Sequence, residues 1–374
     1  MIIKNAYDSY IIDTNNITYI DLSMGSGCQI IGHANVLSKK VANQIEKGTI
    51  YTIPNEHTEN VSKLLNEFIA PKLSSKFIYC NSGTEANMRA IRLARAYTKK
   101  YKIGRFHGGW HGGMDGFIES EGVPSQSTQN IEVLPYNDKR CFPKITSEFA
   151  AVIVEPVQGS NPRNDIGGFL NELQDVCQKK GVLLILDEVM TGFRLSPQGG
   201  CGLFELCPDI ITYGKVLGGG FPIGAVGAKD EIISTPNVFY GGTFSANPLS
   251  MYAATQILEE ITKSKSDKPL IDYDKLNHLG EYFRKSLNSF FIENSYPIRV
   301  LGCNSVNRLI FTDKPFRNRY ERDLFESNNQ KQFYTSLLKE GIFINTNGII
   351  HLSMCHLELI DEIVDKIKKI AKND

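Results

Sequence analysis

The stretch Val182-Leu183-Leu184-Ile185-Leu186-Asp187-Glu188 decides how this chain folds: five apolar residues in a row, closed abruptly by two acids. A continuous apolar run of that length reads as a strand buried on both faces, as in a parallel sheet. About one helical crossover later, Ile210-Ile211-Thr212-Tyr213 runs into Gly214-Lys215-Val216-Leu217-Gly218-Gly219-Gly220. Ligands of open parallel sheets sit just beyond the carboxyl ends of the strands. Asp187 and Lys215 are therefore offered to one crevice from two strand ends. Two readings fit the pair at this point. They form a structural salt bridge, since removing one partner of a buried pair costs roughly 3–5 kcal/mol, or each meets a ligand.

Outward from this stretch the chain alternates strands and helices. Strands are expected at Phe77–Cys80, Lys102–Phe106, Ile131–Leu134, Ala150–Val154, Val182–Leu186, Ile210–Tyr213 and Ala225–Ala228. Helices lie between several of them, clearest at Glu85–Lys100 and Gly168–Lys179. That rhythm predicts an α/β fold with a mostly parallel seven-stranded sheet flanked by helices. Upstream, strands at Tyr10–Ile12 and Ile17–Ile20 precede helices at Leu37–Lys47 and Glu59–Phe68, the latter stopped by Pro71. After Pro248 the texture changes. Helices at Leu249–Thr262 and Tyr273–Asn294 flank a polar linker at 263–269, and strands follow at Val306–Phe311, Phe343–Asn345 and Ile349–Leu352. An amphipathic helix at Leu357–Ala371 closes the chain. The expected division is a large domain over 49–248 and a smaller α+β domain made of 1–48 and 249–374.

At 374 residues the chain exceeds one ordinary core. Lys+Arg and Asp+Glu balance at 41 each, which leaves no electrostatic footprint for nucleic acid or an anionic membrane. No apolar stretch approaches the roughly 18 residues of a membrane span, and Met1-Ile2-Ile3-Lys4-Asn5 lacks the layout of a signal peptide. A cytoplasmic protein is expected. The eight cysteines form no C-x-x-C pair, and His107 and His111 stand without further ligands nearby, so no metal is expected.

Two further tracts carry chemistry. Asn81-Ser82-Gly83-Thr84-Glu85-Ala86-Asn87 joins a strand to a strong helix. Ser82 or Thr84 can cap that helix, and its free N–H groups and positive dipole end suit a phosphate; taken alone, the tract reads more simply as a well-capped helix. His107-Gly108-Gly109-Trp110-His111-Gly112-Gly113 holds the single tryptophan of the chain. Its glycines let a flat ring be approached, although a core role for Trp110 stays open. A phosphate cup, a flat aromatic, an acid and a lysine amine at strand ends together describe a site for a phosphorylated aromatic aldehyde. Pyridoxal phosphate answers that description: its aldehyde forms a Schiff base with lysine and its ring is an electron sink. A buried carboxylate beside the ring nitrogen favours the pyridinium, so Asp187 and Lys215 need not pair with each other.

The chain then resembles a family. Asn81 to Ala86, Val154-Glu155-Pro156-Val157-Gln158-Gly159, Leu186 to Arg194, Gly214 to Ala225 and Gly241-Gly242-Thr243-Phe244-Ser245-Ala246-Asn247-Pro248 are similar to the motifs of class III aminotransferases, nearest to the glutamate-1-semialdehyde 2,1-aminomutase branch. The resemblance implies the PLP-dependent transferase fold type I and a homodimer with shared active sites. It implies an internal aldimine on Lys215, Asp187 on the pyridine nitrogen and Val189 on one ring face. Trp110 falls where the family stacks a Tyr or Phe on the other face. Ser82, Gly83 and Thr84 would hold the phosphate with Thr243 from the partner subunit, and Glu155 and His111 would support the ring.

The family's usual carboxylate switch is missing: its Glu position is Ser160, and Gly348-Ile349-Ile350-His351-Leu352-Ser353 has no Arg, as in the aminomutase branch. The aminomutases have a longer N-terminal segment and a Trp where this chain has Ser26 or Gly27. The expected function is a PLP-dependent aminotransferase moving an amino group from a donor to a keto or aldehyde acceptor, such as a sugar or other polar metabolite. The alternative is intramolecular transfer by an aminomutase. A non-catalytic subunit of this fold does not need Lys215, Asp187 and the cup together. Gly218-Gly219-Gly220 lacks the layout of a nucleotide-binding G-x-G-x-x-G turn.

Overall fold

The computed structural model describes all residues of the chain except 71, 72, 74, 75, 328 and 374; the expected stop at Pro71 lies outside the described residues. The described chain divides into two compact units. One comprises Met1–Lys40, Gly159–Asn164 and Lys263–Asp374; the other comprises Val41–Gln158 and Asp165–Thr262. The boundaries differ from those expected at 48/49 and 248/249. The helix Pro248–Thr262 packs on the helix Glu56–Leu64 and on the turn Lys215–Gly218, and these keep it in the second unit. The short segment Gly159–Asn164 joins the first unit, an excursion that no change of composition marks.

The second unit is built on a seven-stranded sheet. Its strands run, edge to edge, Phe77–Cys80, Gly224–Ala228, Ile210–Tyr213, Leu183–Asp187, Phe149–Val154, Lys102–Phe106 and Ile131–Leu134. Gly224–Ala228 pairs antiparallel with both neighbours, and every other pairing is parallel. Two antiparallel steps restore direction, so six strands point the same way and end at one edge. The expected α/β sheet is thus present with one reversed strand. All six residues of Phe149–Val154 and all four of Ile210–Tyr213 are buried, as continuous apolar strands require.

Helices supply the covering layers. Gly83–Thr98 buries Ala86, Asn87, Arg89, Ala90, Ile91, Leu93 and Ala94 along one stripe and leaves its other face polar. It starts because Ser82, extended, accepts the Glu85 N–H at 3.2 Å, and it stops at Lys99, whose φ of 59° is left-handed. Gly167–Lys180 ends the same way at Gly181.

In the first unit, Ile3–Tyr7, Tyr10–Asp13, Thr18–Asp21 and Ile342–Phe343 form one sheet, and Arg299–Cys303, Val306–Ile310 and Ile349–His351 form another. The helices Tyr273–Glu293 and Ile360–Asn373 pack together. The latter buries Ile360, Ile363, Val364, Ile367, Ile370 and Ala371, the spacing of an amphipathic helix. Ile3–Tyr7 and Arg299–Cys303 were not expected; the first is a largely exposed edge hairpin strand with Lys4 and Asn5 in it, which dilutes the apolar signal.

Candidate active site

The common edge of the six parallel strands gathers most of the candidate residues of the second unit. Asp187 is the last residue of its strand, Lys215 follows the strand ending at Tyr213, Ser82 follows Cys80, and Glu155 follows Val154. His111 belongs to the loop after Phe106. Alternation of parallel strands with crossover helices is what brings residues 28 to 133 positions apart to one rim.

Asp187 is 1 % exposed and is the best-anchored group of the site. Its Oδ2 accepts from Asn87 Nδ2 and is bonded to His111 Nδ1, both at 2.7 Å. Its Oδ1 accepts the Val189 N–H at 3.0 Å. Asn87 donates a second bond to the His111 carbonyl at 3.1 Å, while its own Oδ1 accepts the Thr212 hydroxyl at 2.7 Å. Beyond His111 lies Glu155, whose Oε2 accepts the Trp110 N–H at 2.9 Å. Burial pushes the Glu155 carboxyl up to about 7; His111 opposes that rise and Asp187 adds to it. Next to Asp187, Glu188 is likewise pushed up to about 7 by burial. It is fully buried and braces a loop, accepting the Thr191 hydroxyl and the Gly200 and Cys201 N–H groups.

Raised carboxyls have a consequence for stability. A group that ionises near 4.5 when unfolded and near 7 when folded holds more protons in the native state between those values. Stability therefore falls as pH rises through that window. Glu155→Gln removes one of the two carboxyls and keeps an acceptor for the Trp110 N–H. In cofactor-free protein we expect its unfolding free energy, measured by urea titration, to decline less from pH 5 to 8 than the wild type's, a difference on the order of 2 kcal/mol. Superimposable pH profiles would contradict the assignment.

Glycine is required at two places. A Cβ on Gly83 would sit 2.5 Å from Val189 Cγ1, and the Val189 side chain also lies 3.3 Å from the Cβ position of Gly214. Val189 is thus wedged between the cup and the residue preceding Lys215. Gly112 has a φ of +96°, and a Cβ there would fall 2.3 Å from Thr84 Oγ1. The 107–113 loop closes against the cup only because this position has no side chain. Lys215 itself has a φ of 45°. A left-handed conformation in a residue with a long side chain costs of order 1–3 kcal/mol and persists where surroundings impose it, commonly at functional sites.

Two candidates stand apart from this cluster. Trp110 is 66 % exposed, so a core role is ruled out; only its backbone joins the network, through Glu155. Thr243 is exposed on the segment 241–245, which Arg89 ties to the Gly83–Thr98 helix through the Gly241 carbonyl and Ser245 Oγ. Ser160 belongs to the first unit, where Arg322 donates to its carbonyl.

Asn87 and Thr212 had not been singled out from the sequence. The available signal was a polar residue inside each otherwise apolar surface: Thr212 within a fully buried strand and Asn87 on the buried stripe of its helix.

The residues fit a phosphorylated pyridine aldehyde. Ser82, Gly83 and Thr84 open a 16-residue helix, the place where backbone N–H groups are free for an anion. Two buried polar atoms of the site, Asn81 Oδ1 and His111 Nε2, have no hydrogen-bond partner within the protein. A buried carboxylate suits a cationic ring nitrogen. Among the described residues no group of three or more His, Cys, Asp or Glu could hold a metal ion, and no helix is long and apolar enough to cross a membrane.

Comparison with known proteins agrees with this class of site. The model of the family described as Aminotransferase class-III matches residues 1–371, and the chain belongs to that family. A glutamate-1-semialdehyde 2,1-aminomutase of Sulfolobus acidocaldarius is 35% identical over 397 residues, covering 99% of this chain and 92% of that protein. An omega-transaminase from Sphaerobacter thermophilus superposes with a TM-score of 0.91 at 27% identity, covering 99% of this chain and 90% of that one. A structure described as a transaminase with PLP bound gives a TM-score of 0.87 at 25% identity over 100% of this chain and 90% of that one.

Proposed function

We propose that the protein moves an amino group between carbons with pyridoxal phosphate as cofactor, and that it does so within a single substrate, as an aminomutase. The observation that carries the chemistry is the buried Asp187 carboxylate, braced by Asn87 and His111 at the strand edge that also bears Lys215 and the Ser82–Thr84 cup. Support for the intramolecular form comes from the relative named an aminomutase, 35% identical across nearly the whole chain.

When bound, pyridoxal phosphate supplies an aldehyde that exchanges amines and a ring that accepts the electron pair left when a proton departs from the substrate carbon. In this reading Lys215 anchors the resting cofactor. Its Nζ would take the proton from one substrate carbon and return it to another. Such general acid–base work contributes about 10²–10⁴-fold. Asp187 keeps the ring nitrogen protonated. Ser82, Gly83 and Thr84 hold the phosphate, with Thr243 reaching in from a second copy of the chain, so the active form is a homodimer. Val189 and Trp110 flank the ring, and His111 and Glu155 support it. The enzyme works in the cytoplasm, without nucleic acid or membrane.

The test is turnover of glutamate 1-semialdehyde as sole substrate. The proposal expects sustained conversion with no oxo-acid present; strict dependence on a second, oxo-acid substrate would overturn it. That outcome supports transfer from a donor to a separate keto or aldehyde acceptor, the reading favoured by the likeness to the omega-transaminase at a TM-score of 0.91.

A further inference from the structure

We propose that Asn87, with Thr212 bonded to its amide oxygen, is the positioning residue that fixes the Asp187 carboxylate. The inference rests on the role given to Asp187 above and adds residues that the family motifs did not single out. Asn87, Thr212 and Asp187 are at most 1 % exposed, and His111 is 2 % exposed, so none can turn to water for a replacement bond. An amide offers two N–H donors and a carbonyl acceptor, and each end has a defined partner here. The Nδ2 protons go to Asp187 Oδ2 and the His111 carbonyl, and Oδ1 receives the Thr212 hydroxyl proton. A flipped amide would set its oxygen against the Asp187 carboxylate and the His111 carbonyl, neither of which can donate, so these two acceptors select the orientation and the Thr212 hydroxyl, at 2.7 Å, completes it by donating to Oδ1.

Two donors, from Asn87 and His111, converge on one carboxylate oxygen. Together they hold the group against rotation. Among charged and titratable groups, His111 is bonded to Asp187, and Glu155 and Glu188 interact with it electrostatically. Asn87 is a neutral donor among them. Its place in the chain gives it a second property. Asn87 lies four residues beyond Gly83 on the helix whose first residues form the phosphate cup, about 6 Å along the axis. A single rigid helix thus carries both the phosphate cup and the support of the ring-end carboxylate, and it sets the spacing between them.

The experiment uses the holoenzyme and the variants Asn87→Leu, of similar volume, and Thr212→Val, which exchanges a hydroxyl for a methyl. For Asn87→Leu we expect kcat to fall about tenfold to a hundredfold, the range seen when supporting partners of a functional group are removed, with little change in KM. The pH at which the bound chromophore titrates should shift, while the borohydride-trapped adduct at Lys215 stays stoichiometric. Thr212→Val should move the same readouts in the same direction by a smaller factor. If Asn87→Leu does not fold, Thr212→Val decides alone, and a wild-type kcat and chromophore titration in it overturn the inference. A wild type that forms no Lys215 adduct overturns the functional reading and this inference with it. A competent wild type whose folded variants match it overturns this inference only.

Discussion

Lys215→Ala is expected to lower turnover by at least about 10⁴-fold, because the proposed function gives this lysine two tasks. On that proposal it anchors the cofactor aldehyde at rest and its Nζ is the base that moves the proton; a positioned acid–base group alone contributes about 10²–10⁴-fold. The backbone supports this assignment independently of the family motifs. Lys215 holds a φ of 45° at the head of the Lys215–Gly218 turn, immediately after an entirely buried strand. Alanine tolerates that φ no better than lysine does, so the fold should survive the substitution with little change and the loss should fall on kcat. The check is steady-state kinetics beside thermal unfolding. Retention of more than a hundredth of wild-type turnover in a folded variant would show that another group moves the proton.

Asp187→Ala is expected to be the second most damaging change, and to act differently. Removing one preorganised charged or polar group aimed at developing charge costs about 10²–10³-fold in kcat, and a loss near the upper end is expected here because the carboxylate is dry. The substitution also strands the Asn87 and His111 side chains and the Val189 N–H, which now converge on the carboxylate. Each buried unsatisfied group costs roughly 1–3 kcal/mol, so a lower unfolding midpoint should accompany the kinetic defect. The Lys215 adduct should still form in the folded fraction. Near-normal kcat would show that the ring nitrogen is held by some other group.

The legible part of this protein was its strand ends. Val182–Leu186 and Ile210–Tyr213 stand out because strands buried on both faces need unbroken apolar residues, and the polar residue that ends such a run lies at the sheet edge by construction. Asp187, Lys215 and the Ser82–Gly83–Thr84 cup follow from that geometry. What stayed hidden was whatever depends on contacts between segments far apart in the chain. The bond from Thr212 to Asn87 joins residues 125 apart, and no local pattern announces it. Glu188 looked like a companion of Asp187, yet it faces the Thr191–Cys201 loop and braces that loop instead. The segment Gly159–Asn164 clusters with residues more than a hundred positions away, because a short turn between a strand and a helix can pack wherever its ends allow. The reversed strand Gly224–Ala228 reads the same from sequence whichever way it runs, since full burial removes the alternation that would hint at its neighbours.

Reduction of the wild-type holoenzyme with borohydride, followed by peptide mapping, bears most directly on the central claim that this rim holds the cofactor by a lysine. One cofactor equivalent per chain on the peptide containing Lys215 is the predicted result. A cofactor fixed at another lysine, or a protein saturated with pyridoxal phosphate that yields no fixed cofactor at all, would contradict it.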